Sequence, residues 1–196
     1  MEALELMTSR RSTRKFQQRP LEAKKLDMIL KAGRHAPSGG NCQTTHFLVI
    51  QNKEVLDKLT VMVREAFAKM EETPGMYKSI VNSIRLSKGG KYVFHYDPSV
   101  LIVTANLKEY GNNIADCSCA LENMMLEANA LELGSCWINQ LKWLNEEPTV
   151  LAYLQSLGLK EGERVYGALA VGYADTKDGL PARNPLPRTG NEVTYI

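Results

Sequence analysis

The chain has no apolar run near the roughly 20 residues needed to cross a bilayer, so no membrane-spanning helix is expected. An excess of one charge is missing too: 24 basic and 22 acidic residues leave a net charge of +2. That balance gives no reason to expect a nucleic-acid or membrane partner. Histidine is scarce, with only His35, His46 and His95, and no metal-ligand pair sits at helical spacing. Of the four cysteines, Cys117 and Cys119 fall in an expected helix, where they point about 200° apart. None of the cysteine spacings is a zinc spacing, so separate reduced thiols are expected. Gly-x-Gly-x-x-Gly, a Walker loop and a nucleophile elbow are all absent, which argues against a dinucleotide-binding Rossmann domain, a P-loop enzyme and an elbow-type hydrolase. The opening Met1-Glu2-Ala3-Leu4-Glu5 is acidic and has no signal-peptide core. A cytoplasmic protein is the expectation.

What is present is enough for one domain over residues 1–196, with a sizeable core. Apolar periodicity predicts a short helix over Glu2–Ser9, a helix from Pro20 to before Pro37, and a long one over Lys53–Met70. A further long helix is expected from about Asn113 to Leu133, capped by Gly134, and another from Pro148 to Gly158. Phe47–Ile50 and Val100–Ala105 read as strands buried on both faces, with further strands at Cys136–Ile138 and Val165–Tyr173. Residues 71–98 read as an irregular aromatic insertion between Pro74-Gly75 and Gly89-Gly90, suited to a pocket wall made by Tyr77, Tyr92, Phe94 and Tyr96. The proline-rich tail from Ala174 cannot be helical. Helices alternating with buried strands imply a sheet covered on both faces.

Two polar clusters stand out. Arg10-Arg11-Ser12-Thr13-Arg14 is rich in guanidinium and hydroxyl groups, which suit a phosphate. In an extended segment Arg10, Ser12 and Arg14 share one face, and Arg11 points elsewhere. Pro37-Ser38-Gly39-Gly40-Asn41-Cys42-Gln43 combines a fixed turn, two glycines that let backbone N–H groups approach a ligand, and amides that suit the edge of a flat heterocycle. Each alone also fits an ordinary solvated segment. His35 suits a helix C-terminus, and His46 beside the amide loop is placed to face a ligand. With no acid, base or nucleophile assembled by spacing, a bound cofactor is expected to carry any chemistry.

Taken together, Arg10–Arg14 and Ala36-Pro37-Ser38-Gly39-Gly40-Asn41-Cys42-Gln43 resemble the nitroreductase family of FMN-dependent oxidoreductases. Tyr96-Asp97-Pro98, Asp116, Leu133–Ile138 and Arg183-Asn184-Pro185 extend the resemblance over the whole chain. The chain departs from it at Thr44-Thr45, where the family has Pro-Trp. The resemblance implies an α+β fold: a three-layer α/β/α sandwich with a mixed central sheet, in a homodimer that exchanges terminal segments, residues 174–196 packing on the partner. It implies FMN as cofactor and NADH or NADPH as co-substrate, with hydride passing by a ping-pong mechanism to an electron-poor small molecule such as a nitroaromatic or quinone. No side chain is then a catalytic acid or base. Arg10, Arg11, Ser12 and Arg14 would hold FMN, with Arg10 on the phosphate and Arg14 near the phosphate or the ring edge. Pro37, Ser38 and Gly39 would reach the flavin of the other subunit, and Asn41 and Gln43 match the polar cofactor-binding positions that follow. Ile138 and Asn139 would line the ring, and Arg183 would close on the phosphate. Reductive dehalogenation or flavin fragmentation, with Arg85, Lys88 and Lys91 on a lid, is an alternative, as is a flavin-binding protein without enzymatic activity.

Overall fold

Alternate residues of β2 (Val100–Leu107) point into different halves of the protein. Leu101, Val103 and Ala105 enter one hydrophobic core, Val100 and Ile102 the other, and all five are fully buried. This is the arrangement expected of a strand covered on both faces. The computed structural model describes residues 2–196; Met1, the first residue of the expected domain, lies outside the described residues.

Among the described residues four strands form the sheet, in the order β1 (His46–Ile50), β2, β4 (Glu163–Gly172), β3 (Gly134–Ile138). On one face lie α2 (Ala23–Arg34) and α5 (Asn113–Ala130), flanked by α1 (Ala3–Ser9). On the other lie α3 (Lys53–Ala68), α4 (Lys78–Lys88), α6 (Gln140–Trp143) and α7 (Pro148–Ser156). The layers are those of an α/β/α sandwich, and the fold is α+β.

Every pairing between these strands is antiparallel. β2 and β3 run in the same direction and are joined by the α5 crossover, but β4 lies between them. The parallel part of the expected mixed sheet is therefore reduced, among the described residues, to one bridge between Ser12 and Ser135.

Local chemistry explains the starts of α3 and α7. Asn52 caps α3, its side chain accepting from the Glu54 and Val55 N–H groups at 2.8 and 3.3 Å. Pro148 opens α7 behind the Glu147 side-chain cap. Three expectations need correction. α2 starts at Ala23, because Pro20 and Leu21 belong to the preceding extended segment. β1 is not buried on both faces: it is an edge strand, and Val49 is 37% exposed. The stretch 71–98 contains α4, which the two turn signals bracket rather than interrupt. Its inward side uses serines as well as Ile84, with Ser83 and Ser87 buried, so its apolar periodicity is weak.

His95 lies in the α3–α4 half of the core, fully buried. Its Nε2 is 2.8 Å from Thr60 Oγ1. Burial is the largest influence on it and pushes its pKa below the ordinary 6.5; the Leu56 carbonyl and Asp97 oppose this. The unfolded chain thus binds a proton near its ordinary pKa while the folded chain resists it. Unfolding free energy is expected to be level with respect to this group above about pH 6.5 and to fall as pH drops below it. Urea titrations between pH 8 and 5 should show that slope, and His95→Asn should reduce it.

Candidate functional site

After α1 the chain runs extended beside the sheet. The Thr13 N–H donates to the Ser135 carbonyl at 2.8 Å and the Gln17 N–H to the Tyr173 carbonyl at 2.9 Å. Gly134 makes this approach possible. A Cβ there would lie 2.7 Å from Thr13 Cγ2 and 2.8 Å from Thr13 Cβ. Gly134 was expected as the cap of α5, but it opens β3, and the left-handed residue after the helix is Glu132 (φ 63°).

Arg10, Arg11, Ser12 and Arg14 line a cleft of about 180 Å³ together with Arg188 from the tail. No carboxylate lines it, so the cleft holds uncompensated positive charge in a form suited to phosphate oxygens. Arg11 also donates from Nη1 to the Asn184 carbonyl at 2.8 Å, tying the tail to the cleft. The Cys136 thiol lies behind these groups. Burial pushes its pKa up against the opposing pull of Arg14, Ser12 and Arg10, so it stays protonated and inert.

Arg14 also belongs to a second cavity, of about 280 Å³. Tyr92, Tyr96 and Trp143 wall this slot, and Ile138 and Asn139 line it where β3 ends. Asn139 is oriented by its neighbours: its Oδ1 accepts from Trp137 Nε1 at 2.9 Å. Gln140 donates to Tyr92 Oη at 2.6 Å, and Tyr92 Oη is 2.9 Å from Ser83 Oγ, which ties α4 to the end of β3. Burial is the largest influence on the Tyr92 phenol and raises its pKa, so it remains a neutral donor. Gln140, Trp143 and the α4 residues of this wall carried no motif. Gln140 and Trp143 were signalled only by their closeness in the chain to Ile138 and Asn139, and the α4 residues by nothing.

The second polar cluster lies elsewhere in the chain. Gly39 N–H donates to Asp116 Oδ1 at 3.1 Å, Tyr110 Oη donates to the Gly39 carbonyl at 3.1 Å, and the Gln43 N–H donates to Ser38 Oγ at 3.0 Å. Gly40, Asn41 and Gln43 have φ of 57°, 55° and 54°. Pro37, Ser38 and Gln43 line a cavity of about 140 Å³ with Arg34 and Asp116, while Asn41 and Gln43 border a wider one beside α2. Neither cavity shares a residue with the arginine cleft or the slot. One chain does not bring the two clusters together.

Arg183 does not line the cleft either. It donates to the Asn129 carbonyl and lies 3.6 Å from Glu132 Oε1, held at the C-terminal end of α5, where the helix dipole favours a cation. Arg188 occupies the cleft instead. Phe94 is core rather than pocket wall, at 1% exposure. Tyr77 lies outside the slot, packed edge-on against Trp143 with ring centroids 6.0 Å apart. His46 pairs with the buried Glu163 at 2.8 Å. Burial raises the Glu163 pKa, but hydrogen bonds from His46 and the Lys160 N–H outweigh that and leave it lowered. His35 ends α2 with Nδ1 2.8 Å from the Lys31 carbonyl.

Fold and cavities together define a three-layer α+β protein with a guanidinium cleft opening beside an aromatic slot. The chain belongs to the nitroreductase family, whose model matches residues 7–173. A crystal structure of a nitroreductase with bound FMN from Bacteroides fragilis is 34% identical, superimposes with a TM-score of 0.87 and covers 100% of each chain. A second, from Desulfitobacterium hafniense, also a nitroreductase with bound FMN, shares the fold at 23% identity, a TM-score of 0.81, and coverage of 98% of this chain and 97% of that one. An Archaeoglobus fulgidus protein provisionally named NADH dehydrogenase/NAD(P)H nitroreductase is 32% identical over 180 residues, 90% of this chain and 88% of its own length.

The packing of Thr13 on Gly134 is open to a direct check. Gly134→Ala is expected to lower unfolding free energy by about 1–3 kcal/mol through overpacking, measured by urea denaturation. Adding Thr13→Ala should recover part of that loss, a coupling that a double-mutant cycle would read.

Proposed function

We propose that this protein is an FMN-dependent oxidoreductase that passes a hydride from NAD(P)H to an electron-poor acceptor. The observation that carries this reading is Arg14, which borders both the carboxylate-free arginine cleft and the aromatic slot. A ligand with a phosphate at one end and a flat ring at the other fits that pair of cavities. The relatives with bound FMN and NAD(P)H nitroreductase names support the same cofactor and co-substrate.

Bound there, FMN supplies the hydride acceptance and donation that no side chain of this chain offers. Arg10, Arg11 and Ser12 hold the phosphate, with Arg188 closing the cleft. Arg14 places positive charge between phosphate and ring. Ile138 and Asn139 lie along the ring, and Tyr92, Tyr96 and Trp143 exclude water from it. One slot has to receive first the nicotinamide and then the acceptor, which makes the kinetics ping-pong. The slot has neutral donors and one guanidinium, and no lining carboxylate. That suits acceptors whose polar groups are electron-rich oxygens, such as nitro compounds and quinones.

The loop Pro37–Gln43 serves a flavin only in a homodimer, where it reaches the partner's site. The tail supports that assembly: from residue 180 onward it has no regular structure, and Leu186, Val193, Tyr195 and Ile196 are exposed. In this reading one domain spans residues 1–196 and the tail from 174 packs on the partner beyond the part its own chain already holds, where the Asp175 N–H donates to the Lys15 carbonyl and Arg11 to the Asn184 carbonyl. No described helix is long and apolar enough to cross a membrane, and the free thiols fit the reducing cytoplasm. A dehalogenating lid gains no support: Arg85 pairs with Glu72 at 2.7 Å, Lys88 lies 3.7 Å from Glu71, and neither lines the slot.

The purified protein should be yellow or take up added FMN, and anaerobic mixing with NADH or NADPH should bleach it. A yellow protein that bleaches with neither donor is a flavin-binding protein, not a reductase. Arg10→Ala should raise the Kd for FMN about 10- to 100-fold, since hydrogen bonds to charged groups contribute about 1.5–3 kcal/mol. Arg19→Ala, remote from the cleft, should leave it unchanged. The holoprotein should sediment as a dimer.

A further inference from the structure

Tyr96 and Asp97 both adopt left-handed backbone, with φ of 63° and 56°. Neither is glycine, and Pro98 follows, which already restricts the residue before it. Such a turn persists only where its surroundings over-determine it, and strained turns of this kind cluster at functional sites.

The surroundings here are specific. The Asp97 N–H donates to His95 Nδ1 at 3.0 Å. The Gln18 amide donates to the Asp97 carbonyl at 3.1 Å and to its carboxylate at 3.0 Å. Lys53 Nζ is 3.3 Å from Asp97 Oδ1. His95 is the buried member of this set. Its Nε2 lies 2.8 Å from Thr60 Oγ1 and 3.4 Å from the Leu56 carbonyl, and the Phe94 ring packs on it. Because Nδ1 accepts, the proton of the neutral ring is on Nε2, where it donates toward α3. The imidazole therefore links the core to the turn. The outer side of the turn is the slot: Tyr96 walls it, with the Arg14 guanidinium 6.0 Å from its ring centroid.

We infer that His95 is a positioning residue of this site: by accepting the Asp97 N–H it holds the turn that keeps Tyr96 in the slot wall beside Arg14. This rests on the reading that the slot receives the flavin ring and the substrates. His95 itself is sealed in the core and touches no ligand. Without its acceptor, the turn is left to the Gln18 and Lys53 contacts on its outer side and relaxes toward ordinary backbone, carrying Tyr96 away from the wall and from Arg14 and opening the slot to water.

Two substitutions divide the imidazole. His95→Asn puts an amide oxygen near the place of Nδ1 and can still accept the Asp97 N–H two residues on, as in an Asx turn. His95→Gln reaches Thr60 and leaves the Asp97 N–H without that acceptor. Hydrogen exchange at the Asp97 amide, measured on the protein without flavin, should stay protected in the Asn variant and lose protection in the Gln variant. In the holoenzyme the Asn variant should keep kcat/KM for the acceptor within about threefold. The Gln variant should lose about tenfold or more, mainly through KM, within the hundredfold that a misplacement of about 1 Å costs.

Equal Asp97 protection in the two variants, or equal KM at matched unfolding midpoints, would overturn the inference. Should either variant fail to fold, ¹⁵N resonances of the wild-type histidines decide the matter: an Nδ1–H tautomer at His95 is incompatible with it. If the wild-type protein neither takes up FMN nor bleaches, the flavin reading fails, while amide exchange and tautomer still judge the turn.

Discussion

The contact between the extended arginine segment and the start of β3 governs the rest of the site. Thr13 rests directly on Gly134, and its N–H is satisfied by the Ser135 carbonyl. That seam aligns the alternation of residues 10–14 with the sheet. It turns Arg10, Ser12 and Arg14 toward one cleft, which Arg11 lines as well although alternation alone would point it elsewhere, and sets Arg14 at the mouth of the slot formed by the far end of β3. A larger residue at 134 would push the segment off the strand, and the cleft and slot would no longer share a guanidinium.

Around that seam the two faces of the sheet have different tasks. The α2–α5 face is an apolar core that carries the Pro37 loop on its rim, locked by Asp116, Tyr110 and Ser38. The α3–α4 face supplies the slot wall, and its polar links are inward: Ser83, Tyr92 and Gln140 join α4 to β3, and Thr60 and His95 join α3 to the Tyr96 turn. The wall is thus fixed by buried hydrogen bonds, which are costly to leave unmade. A slot held in this way is preorganised for flat ligands.

Much of this was legible in the residues. The helices α3, α5 and α7 and the strand β2 follow from periodicity, and their limits moved by a few residues at most. The arginine cluster alone also fitted a solvated segment, and only its combination with the Pro37 loop and the later motifs pointed to a phosphorylated cofactor. Less legible was α4, whose buried face is built partly of serines, and with it went Ser79, Asn82, Ser83 and Leu86 of the slot lining. His46 looked available to a ligand until the fold placed a buried carboxylate opposite it. Arg183 looked like a phosphate ligand until α5 offered its carbonyls nearer by.

By itself the sequence determined the alternation of helices and buried strands, the cluster of guanidinium groups and the rigid amide loop, since each depends on neighbours within a few residues. Only the tertiary structure decided that β4 would separate β2 from β3, that Arg14 would serve two cavities, that Arg188 would take the place expected of Arg183, and that His95 would brace a strained turn. Those outcomes depend on groups tens of residues apart competing for the same hydrogen bonds and the same space, and local pattern carries no information about that competition.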